Sequence, residues 1–327
     1  METTKYLQVN AVKPEPHIIE LAAQIIRAGE LVAFPTETVY GLGADAFRPA
    51  AVEKIFQAKG RPPENALLVH ISNLSQVHRL AAEVSETAKK LMERFWPGPL
   101  SIILPSRAIV PEIVRGGQTG VGLRMPSHPV ALALIEATGP LAAPSANLYG
   151  RPSPTNANHV KQDLHDKIAA VLDAGDTGAG LESTLIDLTM GECKVLRRGG
   201  INVSVIEEFL DTKIEVIGTG SIPRYKTKVQ VVLSHNEADF EVKLQTFQSQ
   251  GQVLGVVHTD DTKWHTIEGV SRLFSLNISG QGNTLYSILR DAEQDGINTL
   301  LVVPIDPQQA GAAMMDRLWR AAAEKMP

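Results

Sequence analysis

Between residues 17 and 28 the apolar positions Ile18, Ile19, Leu21, Ala22, Ile25 and Ile26 recur at helical spacing, with Gly29 placed to cap the end. Residues 30–34 follow as a short apolar run of strand type. Pro49 opens a second helix, with Val52, Ile55 and Phe56 on one face, that stops at Lys59-Gly60-Arg61-Pro62-Pro63. Strand-like runs at 66–71, 100–104, 121–125, 141–143, 169–172 and 185–188 then alternate with helical runs at 85–95, 127–138 and 157–164. Such alternation predicts an α/β layer structure. After a short helix near 203–210 the periodicity fades through residues rich in Gly, Ser, Thr, Pro and Lys, which reads as a linker. Strands resume at 229–233, 253–257 and 300–303, and a last helix covers 314–323. The pattern divides the chain into a first domain over 1–212, a linker over 213–228 and a smaller α/β domain over 229–327, each of ordinary domain size.

Composition changes this picture little. Residues 1–205 hold 20 Lys and Arg against 20 Asp and Glu, and the remainder 11 against 16, so there is no basic footprint of a dedicated nucleic-acid binder. The single cysteine, Cys193, excludes an internal disulfide and a cysteine-rich zinc site, and fits a reducing compartment. The start, Met-Glu-Thr-Thr-Lys, lacks a signal-peptide core, and no run approaches the ~20 apolar residues of a membrane span, so the expected location is the cytoplasm with no membrane contact. Metal-ligand spacings of the HExxH, CxxC and EF-hand kinds are missing, as is a phosphate-binding GxxxxGK[ST] loop, so no protein-held metal is expected. The pairs Gly41/Gly43, Gly178/Gly180 and Gly218/Gly220 lack the third glycine of a dinucleotide fingerprint and read as turns. His258, Asp260, Asp261 and His265 read as a solvated loop.

The candidate chemistry lies at strand ends. Pro35-Thr36-Glu37-Thr38-Val39-Tyr40-Gly41 carries hydroxyls and a carboxylate just past an apolar run, where ligands of α/β proteins commonly sit. Further polar segments are Lys59-Gly60-Arg61, Asn65 with His70, Arg124, Ser145-Ala146-Asn147, Ser153-Pro154-Thr155, Glu182-Ser183-Thr184 and Arg197-Arg198. Arg suits phosphate and carboxylate through a bidentate fork, and Lys serves as a mobile point charge. Ser, Thr and Asn suit ribose, base and amino-acid hydroxyls. Neighbouring Pro and Gly hold the backbone in fixed turns. No serine stands in a nucleophile elbow, so positioning and charge stabilisation are expected rather than a covalent enzyme intermediate.

In order and spacing these segments resemble the YrdC-like domain of the threonylcarbamoyl-AMP synthases. The resemblance is carried by Phe34-Pro35-Thr36-Glu37-Thr38-Val39-Tyr40-Gly41-Leu42-Gly43, Lys59-Gly60-Arg61-Pro62, Leu68-Val69-His70-Ile71, Phe95-Trp96-Pro97-Gly98-Pro99, Arg124-Met125-Pro126, Ala143-Pro144-Ser145-Ala146-Asn147, Glu182-Ser183-Thr184 and Leu196-Arg197, over roughly residues 15–205. The tail is similar to the extra C-terminal domain of the long form. The implied fold is a YrdC-like twisted mixed sheet with helices on both sides, plus a smaller Rossmann-like domain. The implied reaction joins L-threonine, bicarbonate or CO2, and ATP into threonylcarbamoyl-AMP and pyrophosphate, with Mg2+ assisting. A partner transferase would pass the threonylcarbamoyl group to tRNA.

Carried over residue by residue, the resemblance places Thr36, His70, Arg124, Ser183 and the backbone at Ala143 around L-threonine. Arg61, Asn65, Ser145, Asn147, Ser153, Arg197 and Tyr225 would hold ATP. Lys59 and Arg61 would carry catalysis, with Lys59 stabilising the charge that develops on phosphate. Glu37, Thr38 and Tyr40 are expected to brace the turn. The chain departs from the family where Gly120 replaces a hydroxyl residue and where the linker keeps Pro223 and Tyr225 without a histidine. This reading allows weak RNA binding. Two alternatives stand beside it: a catalytically inert double-stranded-RNA or tRNA-binding module of the same fold, and a carbamoyltransferase, ranked last because the zinc-finger cysteines of such enzymes are missing.

Overall fold

The computed structural model describes residues 3–217, 224–259, 264, 266–277 and 284–322. The chain forms two compact units, one comprising Met1–Tyr149, Ser153–Thr177 and Glu182–Gly220, the other Gly150–Pro152, Gly178–Leu181 and Ser221–Pro327. Among the described residues no helix is long and apolar enough to cross a membrane. Residues 218–223, with Pro223 of the linker, and Asp260, Asp261 and His265 lie outside the described residues.

The first unit opens with β1 (Lys5–Gln8), α1 (Pro16–Arg27), β2 (Val32–Phe34), β3 (Gly41–Asp45), α2 (Pro49–Lys59) and β4 (Leu68–His70). It continues through α3 (Ser75–Leu80), α4 (Glu86–Phe95), β5 (Leu100–Pro105), α5 (Glu112–Arg115), β6 (Gly120–Arg124), α6 (Pro129–Thr138) and β7 (Leu141–Ala142). It closes with α7 (Ala157–Leu164), β8 (Ala170–Asp173), β9 (Thr184–Asp187), β10 (Lys194–Arg197), α8 (Val203–Leu210) and β11 (Glu215–Val216). The strands make one mixed 11-stranded sheet in the order β1-β8-β2-β3-β7-β4-β6-β5-β9-β10-β11.

Both faces of this sheet are covered. Along β2, Val32 and Phe34 join one apolar cluster with Ile19, Ala22 and Ile26 of α1 and Val130, Leu134 and Ile135 of α6. Ala33 faces the other way, into a cluster with Val52, Ile55 and Phe56 of α2 and Leu91 of α4. Two-sided burial explains why these strands read as continuous apolar runs rather than alternating ones.

The residues expected to form a glycine turn at 41–43 are instead strand. β3 pairs antiparallel with β2, Phe34 opposite Gly41 and Val32 opposite Gly43. The glycines are there for space, since a Cβ on Gly43 would lie 2.8 Å from a Phe34 ring carbon. Phe34 is fully buried, and a side chain of that size contributes ~1.5–3 kcal/mol when removed from water. Gly120 has a similar reason: a Cβ there would meet Ile103 Cγ2 at 2.7 Å and Thr189 Cγ2 at 2.8 Å, so this β6 position has no room for a hydroxyl-bearing side chain.

The second unit holds β12 (Gln230–Leu233), α9 (Glu237–Ser249), β13 (Leu254–His258), β14 (Arg272–Ser275), α10 (Leu285–Gln294), β15 (Thr299–Val302) and α11 (Pro307–Ala321). Its strands form a four-stranded sheet, β12-β15-β13-β14, parallel throughout. Phe240, Leu254, Val256, Leu301 and Val303 fill its core. Gly150–Pro152 is tied into this unit by side chains distant in sequence. Arg290 Nη2 donates to Pro152 O at 2.6 Å, and Arg151 Nη2 meets Glu293 Oε2 at 2.7 Å.

Candidate active site

The turn after β2 is closed by its own hydroxyls. Thr36 Oγ1 donates to Val39 O at 2.7 Å, accepts from the backbone N–H groups of Thr38 and Val39 at 3.2 Å each, and lies 2.8 Å from Thr38 Oγ1. Tyr40 OH donates to Gly175 O at 2.8 Å, and burial pushes this phenol well above its usual pKa. The stretch is therefore rigid, and the hydroxyl expected to meet a ligand already serves the turn. Its carboxylate points elsewhere: Glu37 Oε1 lies 2.8 Å from Arg124 Nη2, at the end of β6, across the positions of β3, β7 and β4 in the sheet. Sequence reasoning missed this pair. The available signal was that a buried arginine among apolar strands needs a counter-charge.

His70 ends β4 in register with Arg124. Its ring stands edge-on to Phe34, centroids 6.2 Å apart. Burial first, and the Arg124 charge second, push His70 down to about 3, so it is a neutral imidazole at working pH. His128, the N-cap of α6, accepts from Val130 N at 3.2 Å; burial lowers its pKa and Glu37 works in the opposite sense. Both Glu37 oxygens, His70 Nδ1 and Arg124 Nη2 are buried without an aligned hydrogen bond among the described residues, although Arg124 Nε reaches Gly98 O at 3.4 Å. Ala143 spends its N–H on Leu68 O at 2.9 Å, which leaves the carbonyl for any role in recognition.

A second group forms around the end of α2. Lys59 is buried, and its ammonium donates to Ser145 O and Asn147 O at 2.5 Å each. The Lys59 carbonyl accepts from Tyr149 N at 2.8 Å, so helix end and 145–149 loop hold each other. Arg61 Nε donates to Asn65 O at 3.3 Å and Nη2 to Ala66 O at 3.0 Å, with the guanidinium 5.9 Å from the Tyr149 ring centroid. Asn65 Nδ2 in turn donates to Pro62 O at 3.2 Å.

A third group joins residues assigned to different ligands. Ser183 is buried, its hydroxyl 2.7 Å from Ser101 Oγ, and Arg197 donates to it twice, Nε to the carbonyl and Nη2 to Oγ, at 3.0 Å each. Ser153 Oγ donates to Glu182 Oε1 at 2.9 Å. Ser101 was not singled out from the sequence, and Glu182 only as a member of the Glu182-Ser183-Thr184 segment. Tyr225 belongs to the second unit, where it is buried, with its hydroxyl 2.9 Å from Tyr286 OH and Arg320 4.2 Å above its ring.

Among the described residues no group of three His, Cys, Asp or Glu is placed to hold a metal ion. A cleft of about 740 Å³ in the first unit is lined by Lys5, Glu30, Lys54 and Lys167, and none of the candidate residues borders it. Its Lys54 is already neutralised by Glu30 at 2.6 Å.

Fold and site define a two-unit α/β protein whose larger unit gathers buried cations and hydroxyls at strand ends. Residues 24–199 match the family model of the Sua5, YciO and YrdC proteins, described as telomere recombination, and residues 219–323 match the threonylcarbamoyl-AMP synthase C-terminal domain. The chain is 38% identical to the threonylcarbamoyl-AMP synthase of Pyrococcus abyssi over 94% of this chain and 95% of that one. It is also 38% identical to that of Bacillus subtilis, over 95% and 94%. The solved structure of P. abyssi Sua5 complexed with L-threonine superposes with a TM-score of 0.87 at 36% identity, covering 98% of each chain. The chain belongs to the Sua5–YciO–YrdC family, in its two-domain threonylcarbamoyl-AMP synthase form.

Proposed function

We propose that this chain is an L-threonylcarbamoyladenylate synthase, a nucleotidyltransferase that converts L-threonine, bicarbonate or CO2, and ATP into threonylcarbamoyl-AMP and pyrophosphate. The observation that carries the reading is similarity to named synthases over nearly the whole of both chains. It favours the synthase over a catalytically inert RNA-binding module. The product would supply a downstream transferase acting on tRNA, in the cytoplasm. Magnesium would enter with the nucleotide's phosphates as part of the substrate.

The geometry suits the roles. Arg124 forks onto the threonine carboxylate; neutral His70, Ser183, Thr36 and the Ala143 backbone surround the rest of the amino acid. Asn65, Ser145, Asn147, Ser153 and Arg197 hold ATP with Arg61. The threonine nitrogen captures the one-carbon unit as a carbamate, whose oxygen attacks the α-phosphorus in line while pyrophosphate leaves. Little covalent work falls to the protein in such a step; catalysis is positioning and charge neutralisation. Lys59 and Arg61 do this work. Lys59 suits it because its ammonium is already aimed by two carbonyls and loses little freedom on meeting phosphate. Residues 1–212 would carry the chemistry, with 213–228 as linker and 229–327 as a second domain.

The test is incubation of the purified chain with ATP, L-threonine, bicarbonate and magnesium. Threonylcarbamoyl-AMP and pyrophosphate should appear in equal amounts and depend on all three substrates. Folded protein that forms neither would overturn the assignment.

A further inference from the structure

The Glu37–Arg124 contact has no role in the scheme above. The two charges touch at 2.8 Å, yet among the described residues neither atom makes an aligned hydrogen bond and none donates to the second Glu37 oxygen. Buried carboxylates are ordinarily held by several donors, because an unsatisfied one is costly. The backbone beneath Glu37 is fixed by the Thr36 and Thr38 hydroxyls, so only the side chain can answer to a ligand. Arg124 meets it directly and His128 feels its charge, while His70 stands beside Arg124 in register; burial disfavours the charged form of both histidines.

An α-amino acid carries a carboxylate and an ammonium on one carbon, and so matches an arginine and a carboxylate that can part. We propose that Glu37 binds the substrate's amine and accepts a proton from it as the carbamate forms, an inference that rests on the function proposed above. In the structure Glu37 faces Arg124. The incoming carboxylate takes over the guanidinium, and the ammonium becomes the new counter-charge of Glu37. To become a carbamate the nitrogen gives up two of its three protons. With bicarbonate as carbon source, one departs with the bicarbonate oxygen that leaves as water, as the C–N bond forms and a C–O bond breaks. The other passes to Glu37. Charge is conserved, the ammonium, bicarbonate and carboxylate giving carbamate, water and a neutral carboxyl group. Glu37 returns its proton to solvent when the product leaves.

The test compares the full-length wild type with Glu37→Gln, in binding and in both directions of reaction. By calorimetry, Glu37→Gln should bind L-threonine ~10-fold more weakly. It should bind 2,3-dihydroxybutanoate, which has a hydroxyl in place of the amine, more tightly than the wild type does, because Arg124 is released. Forward synthesis should fall ~100-fold, the worth of a lost proton acceptor. ATP formation from supplied threonylcarbamoyl-AMP and pyrophosphate, which removes no proton from nitrogen, should fall far less. If Glu37 merely props Arg124, both ligands weaken and both directions fall together, and the proposal is overturned. Should Glu37→Gln fail to fold, Glu37→Asp is read by the same forward-to-reverse ratio. A wild type that makes no threonylcarbamoyl-AMP would remove the function, while the two-ligand titration would still decide whether Glu37 reads an amine.

Discussion

On the Lys59 side of the site, cation and acceptors are already joined, with the ammonium 2.5 Å from two backbone carbonyls and Arg61 bonded to the 65–66 backbone. On the Arg124 side, the guanidinium and a neutral imidazole are buried and the Glu37 side chain is partly so, and the Glu37 oxygens, Arg124 Nη2 and His70 Nδ1 make no aligned hydrogen bond among the described residues. An unsatisfied buried polar group costs ~1–3 kcal/mol, so the second arrangement is held at a cost that a ligand can relieve. The first is aimed in advance, as charge stabilisation of a phosphoryl transition state requires. Under the proposed function, the contrast is between a pre-aimed electrostatic anchor and a pocket whose internal ion pair would be exchanged for the two charges of the substrate.

The largest effect that could break this comparison is expected at Lys59. Lys59→Ala should lower turnover by roughly 10²–10³-fold, as loss of a single preorganised donor does, with little change in the far-ultraviolet circular dichroism. Steady-state rates near wild type would remove Lys59 from the phosphate site. Next in size, Arg124→Lys keeps the charge but not the fork. The KM for L-threonine should rise ~10–100-fold with the KM for ATP nearly unchanged. Equal changes in both would mean that Arg124 supports the site as a whole.

A smaller effect concerns stability. His70 is held at about 3 in the folded state by burial, against 6.5 for a free imidazole. Between those values the unfolded chain binds a proton that the native chain refuses, so stability is full above 6.5 and declines as pH falls toward 3. Urea denaturation from pH 7 to pH 4.5 should show this decline, and His70→Asn should flatten it. An unchanged slope would assign the acid sensitivity to other groups.

Much of this was legible in the chain. The alternation of apolar runs announced an α/β protein, while Lys59 meets residues 145 and 147 through their backbone carbonyls, which their side-chain types did not show. The strand β3 was not legible, because Gly41 and Gly43 look like turn residues until the Phe34 ring that needs their space is placed above them. Glu37 reads as a turn brace because its partner, Arg124, lies 87 residues away in another strand. Gly150–Pro152 joins the second unit through Arg290 and Glu293, a link with no local signature. In each case the missing information was a contact between residues far apart in sequence.

The central claim is that the two sides are built separately, one fixed before the substrate arrives and the other completed by it. Calorimetric titration of L-threonine onto Lys59→Ala, without nucleotide, tests it most directly. The affinity should stay within about threefold of wild type, a difference of under 1 kcal/mol. A loss of a hundredfold or more would show that the amino-acid pocket depends on the phosphate anchor, and would contradict the account.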